Sequence, residues 1–99
     1  MAKRVALSFA ESAISDLEEV IIWFKDQGAP EAGRKLTAEV IAQTERLCLY
    51  PDSGRVVPEF GVAFLREIIF PPFRIVYRRE ERRVIVVRVW RSERLLKLP

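Results

Sequence analysis

Apolar residues recur with two different periods along this chain, and the change of period divides it. At residues 4–9, Val5, Leu7 and Phe9 alternate with Arg4, Ala6 and Ser8, the two-residue period of a short strand. From Ala10 the spacing becomes helical: Ala10, Ala13, Ile14, Leu17, Val20, Ile21 and Phe24 fall three or four apart on one face. Ser8 or Ser12 is placed to cap this helix, and Glu11 and Asp16 lie early, where the helix dipole favours anions. Gln27-Gly28 ends it, and Pro30 opens a second helix at the position that suits proline. Leu36, Val40, Thr44 and Leu47, flanked by Ile41 and Cys48, form the second buried stripe. The turn cluster Tyr50-Pro51-Asp52-Ser53-Gly54 follows. So short a connection predicts an antiparallel helical hairpin.

The rest of the chain reads as β. Residues 63–70, 74–79 and 83–91 are rich in Val, Ile, Phe and Tyr, with Pro71-Pro72 and Glu80-Glu81-Arg82 between them. Alternation puts Ile75 and Tyr77 on one face with Ile85, Val87 and Val89. Arg74, Val76 and Arg78 fall on the other with Val84, Val86, Arg88 and Trp90. For these faces to agree across a hairpin, Arg78 must pair with Val84 and Arg74 with Arg88. That register requires an odd-length loop, such as three residues, because a one-residue slip exchanges the faces. The expectation is an α+β domain of order βααβββ. Its helical hairpin covers the Ile/Val face of a small, largely antiparallel sheet, and the opposite face is half apolar and half arginine.

Ninety-nine residues leave room for one hydrophobic core, so residues 1–99 form one domain. The longest helical apolar run, residues 20–24, is far short of the ~20 residues that cross a bilayer. No apolar stretch follows Lys3-Arg4 to make a signal peptide, and one cysteine, Cys48, permits no internal disulfide, so a cytoplasmic protein is expected. With no histidine and one cysteine, neither a Ser-His-Asp triad nor a His-ligated metal site can be built. Neither cofactor nor metal is expected, and any chemistry falls to Arg, Lys, Tyr, Asp or Glu. Charge divides as the periods do. Residues 1–53 carry six Lys/Arg against nine Asp/Glu, and residues 54–99 carry eleven against five. Ten of those eleven are arginine, the residue suited to planar phosphate or carboxylate recognition. An anionic partner on the basic side is the expectation.

Three segments in order, Tyr50-Pro51-Asp52-Ser53-Gly54-Arg55, Leu65-Arg66-Glu67 and Phe73-Arg74-Ile75-Val76-Tyr77-Arg78, resemble the RelE/ParE family of bacterial toxins from type II toxin–antitoxin (plasmid stabilisation) systems. Phe9, Ala13-x-x-Asp16-Leu17 and Trp23 fit the same pattern, so the resemblance spans residues 5–95. It implies a cognate antitoxin as partner, compatible with a toxin–antitoxin heterotetramer, and one of two targets. ParE-like members poison DNA gyrase; RelE-like members cleave mRNA on the ribosome, with the 2′-OH as nucleophile. For a nuclease, the resemblance carries roles onto Arg66, Arg74 and Arg94. However, no tyrosine follows Tyr77, and Glu67 or Ile68 stands where a lysine would. At the end of the last strand, Val89-Trp90-Arg91-Ser92-Glu93-Arg94 is similar to the ParE-like segment, with tryptophan in place of its histidine. The ParE-like reading is therefore the favoured one, with Arg74, Arg88, Trp90, Arg91 and Arg94 as target-binding residues. A non-toxic, antitoxin-binding member is a further alternative.

Each of these residues also has a scaffold reading. Arg66 beside Glu67 suits a strand pair, and Arg74 has Glu67 or Glu59 within reach across the sheet. Tyr77 alternates onto the core face. Arg78, Arg79, Arg82 and Arg83 flank a solvated hairpin tip, and Cys48 suits a small core position. Ile22 and Trp23 lie off the buried stripe of the first helix, which predicts a second interface. With Leu95 and Leu96 they are the expected antitoxin-binding residues.

Overall fold

The computed structural model describes residues 4–91. A first strand β1 (Ala6–Phe9) leads into helix α1 (Glu11–Asp26), which turns back through α2 (Pro30–Glu45) and one 3-10 turn (Arg46–Cys48). Strands β2 (Arg55–Val56), β3 (Leu65–Phe70), β4 (Phe73–Glu80) and β5 (Arg83–Arg91) follow. The sheet order is β1-β5-β4-β3-β2. β1 runs parallel to β5 and every other pairing is antiparallel, so the sheet is mixed. The α+β architecture and the helical hairpin on one face are as the sequence predicts; the two-residue β2 is an addition to the βααβββ order.

α1 ends where Gly28 adopts φ +75°, a left-handed value that glycine takes without strain. The Gly28 amide donates to Lys25 O and the Ala29 amide to Phe24 O, the closing pair of a Schellman motif. The N-terminus departs from expectation. Ala10 is the cap residue and no side chain caps it. Ser12 turns away instead, and its Oγ donates to the Val87 carbonyl at 2.6 Å. The helix stripe is also narrower than its spacing suggests: Ile14 and Ile21 of α1 and Ile41 of α2 stay exposed, while Ala13, Leu17 and Val40 are buried. The hairpin meets the sheet through these three residues and Leu47, against Phe73, Ile75, Tyr77, Val84, Val86 and Val89. Burying a side chain of this size contributes about 1.5–3 kcal/mol.

The β4–β5 register corrects the prediction. Glu80 pairs with Arg83 across a two-residue turn, Glu81-Arg82, so Arg79 faces Val84 and Arg78 faces Ile85. The pairing then shifts between Tyr77, opposite Val86, and Val76, opposite Arg88, leaving Val87 as an extra residue. Such a bulge places two residues of one strand against one of its partner. The even turn brings Val84 and Val86 to the helix side, in place of Ile85 and Val87. The bulge then resets the alternation, so Val89 still faces the helices. The far side of the sheet holds a second small core: Val57, Val76 and Trp90, covered by Phe60, Leu65 and Val87.

Candidate functional site

The helix-free face of the sheet carries a row of charged residues interrupted by Val76. Arg55 of β2 pairs in register with Glu67 of β3, which lies opposite Val76 of β4, with Arg88 of β5 beyond. Beside this row, Arg74 lies between Ile69 and Trp90. Only 8% of Arg74 is exposed. Its Nε donates to Glu67 Oε1 at 2.7 Å, while Nη1 and Nη2 donate to Glu59 Oε2 and Oε1 at 2.7 and 2.9 Å. Glu67 is wholly buried, and its second oxygen accepts from Arg55 Nε at 2.7 Å. The hydrogen-bonded Arg74 guanidinium holds the Glu59 carboxyl at about 2, and Glu59 and Glu67 in turn push Arg74 above its ordinary value. A carboxylate that acidic is a weak proton acceptor at neutral pH.

Arg66 lies on the other face. It pairs with Tyr77, and its neighbour Ile68 pairs with Ile75, both of the helix-side core. Arg66 Nη1 donates to the Gly54 carbonyl at 3.0 Å, and its buried Nε has no partner among the described residues. The Tyr77 hydroxyl donates to Pro51 O at 2.8 Å and accepts from the Gly54 amide at 3.0 Å; burial pushes its pKa up. Arg66 and Tyr77 thus clasp the Pro51–Gly54 turn. Arg66 and Arg74 are not brought together, and Arg94 lies outside the described residues.

The end of β5 is held from the helix side. Asp16, itself buried, accepts from Arg88 Nε and Nη2 at 2.8 and 2.9 Å and from the Val89 amide at 2.8 Å. The Arg88 guanidinium also stacks 4.3 Å from the centre of the Trp90 ring, and Trp90 is buried. Of the predicted target-binding set, Arg74 and Trp90 are thus buried and Arg88 is partly buried, while Arg91 is exposed. The Arg91 guanidinium lies 6.0 Å from the Trp23 ring. Trp23 and Ile22 are 50% and 56% exposed, as the off-stripe positions predict. A cavity of about 420 Å³ opens between Trp23, Phe24 and Val20 of α1, Leu36 of α2, and Phe73 and Arg91 of the sheet. Leu95 and Leu96 lie outside the described residues.

The charge asymmetry of the sequence is partly cancelled in the fold. Arg55, Arg74, Arg78, Arg79, Arg83 and Arg88 all form ion pairs, two of them with Asp52 and Asp16 of the acidic half. Sequence reasoning missed Asp16 as an anchor. Its signal was an acid set among Ala13, Leu17 and Val20 on the buried face. Among the described residues no cluster of His, Cys, Asp or Glu could hold a metal, and no helix is long and apolar enough to cross a membrane.

Comparison with known proteins places this arrangement. A chain of a chromosomal ParDE toxin–antitoxin system from P. aeruginosa superposes with a TM-score of 0.77 at 21% identity, over 91% of this chain and 98% of that one. A chain of the RelBE2 toxin–antitoxin complex from Mycobacterium tuberculosis superposes with a TM-score of 0.68 at 16% identity, over 94% and 98%. At these identities the likeness establishes the fold. No curated protein matches the chain. The family model for the ParE toxin of type II toxin–antitoxin systems, parDE, matches residues 7–96. This chain therefore belongs to the ParE toxin family of type II toxin–antitoxin systems.

Proposed function

We propose that this ParE-family toxin acts in the cytoplasm as a poison of DNA gyrase, and that a cognate antitoxin neutralises it by seating on the exposed Ile22 and Trp23. It works by binding rather than by cutting RNA. The observation that carries this reading is the state of Arg74. Cleavage through a 2′-OH needs a proton acceptor and cations free to meet the phosphorane. Arg74 is committed to Glu59 and Glu67, and Arg66 serves a turn on the opposite face. Recruiting Arg74 would require breaking its buried ion pair with Glu67, which leaves that wholly buried carboxylate to the half-exposed Arg55 alone among the described residues.

The test is a gyrase supercoiling assay with titrated toxin, run beside cleavage of mRNA on programmed ribosomes. Lost supercoiling with trapped DNA breaks and intact mRNA is the expected result. Cut mRNA with unaffected gyrase would establish the nuclease instead. Expression without growth arrest would reduce the chain to an antitoxin-binding protein.

A further inference from the structure

β1 covers only Arg83–Val86 of β5, although β5 runs on to Arg91. Side chains of α1 line the uncovered edge. Ser12 Oγ donates to Val87 O at 2.6 Å, and one helical turn later Asp16 Oδ2 accepts from the Val89 amide at 2.8 Å. The match is geometric. Four residues of helix rise about 6 Å, and two residues of strand span about 6.6 Å. Side chains at i and i+4 of α1 therefore stand where a neighbouring strand would present its hydrogen-bonding groups. The next position in that series is Val20, which is apolar, so the substitution of helix for strand ends at Asp16.

We propose that Asp16 is a positioning residue for the target-binding end of the toxin. Through the Val89 amide and the Arg88 guanidinium it fixes the course of the last residues of β5, Trp90 and Arg91, which pair with Arg74 and Phe73 of β4. This rests on the reading that the end of β5 meets the target. Docking of α1 does not need the acid, because Ala13, Leu17 and Val20 already bury that face. A buried ion pair is weak evidence for stability and can often be replaced by apolar residues of similar volume. The contribution of Asp16 is direction: its carboxylate takes three donors from two adjacent residues of β5, and the Arg88 it holds stacks on Trp90.

The test compares wild type with Asp16→Asn and with the double variant Asp16→Leu/Arg88→Met, which exchanges the pair for apolar side chains. Thermal unfolding, residue-resolved amide hydrogen exchange and supercoiling inhibition are measured on each. The double variant is expected to remain cooperatively folded, with a melting temperature lowered only by the Val89 amide that it leaves without an acceptor. In both variants exchange at Trp90 and Arg91 accelerates at least tenfold while Ile75 and Tyr77 keep their protection, and the half-inhibitory toxin concentration rises at least tenfold. Wild-type exchange at Trp90 and Arg91 in both variants would overturn the proposal. So would a variant that loosens there yet inhibits as well as wild type. If wild-type toxin leaves gyrase untouched, the gyrase reading fails by itself. Growth arrest on expression then replaces supercoiling as the activity readout for the same comparison.

Discussion

Glu59 and Gly54 are each constrained by a residue of β4, Arg74 and Tyr77. The Glu59 carboxyl, ordinarily near 4.5, is held at about 2 by Arg74. A depressed carboxyl favours the fold in its ionised form. This contribution is complete above pH 4.5 and is lost as pH falls toward 2. Glu59→Gln removes the titration, so between those pH values its unfolding midpoint should fall less steeply than that of wild type, as read by urea denaturation at each pH. Gly54 is fixed by close approach: a Cβ there would lie 2.6 Å from the Tyr77 hydroxyl and 2.7 Å from the Glu67 carbonyl oxygen. The carbonyl is backbone and cannot swing aside. Gly54→Ala is expected to cost roughly 1–3 kcal/mol in chemical denaturation. The turn was legible from Pro51 to Gly54, but the reason for its glycine was not. The hydroxyl that closes it comes from β4, 23 residues along the chain.

At the scale of elements, both helices and the three long strands were legible because their apolar periods are long and unbroken. Two features escaped. β2 is two residues long and has no period to read. The bulge at Val87 exists only in the pairing of two strands, since Val84 to Val87 are four successive apolar residues and do not show which one is extra. α1 shows the opposite case, a departure from period that the sequence did expose. Ile22 and Trp23 point away from the core and Trp23 packs edge-on to Phe24, with ring centres 5.0 Å apart. Trp23→Ala should therefore change unfolding free energy by about 1 kcal/mol or less. If α1 carries the antitoxin, the same substitution should weaken antitoxin binding at least tenfold in titration calorimetry.

At the scale of the molecule, the α+β class followed from the sequence, whereas the closure of the sheet did not. Nothing in the first strand announces that it will run parallel to the last, and the Ala13-x-x-Asp16-Leu17 pattern says nothing of the strand that Asp16 secures. A partner that binds only the folded toxin stabilises it by mass action, by about 2.7 kcal/mol at a hundredfold excess over the dissociation constant. For a domain of this size that corresponds to a rise of roughly 10 °C or more in melting temperature; an unmoved midpoint with saturating antitoxin would deny the partnership. The bulge also bears on how the last strand can vary in length. Losing one residue at Val87 leaves Val86, Arg88, Val89 and Trp90 on the faces they occupy now, at the cost of the Ser12 contact. A gap elsewhere in β5 would exchange the two faces for every residue beyond it and turn Trp90 toward the helices. Related chains with a shorter last strand are expected to have closed the gap at this position.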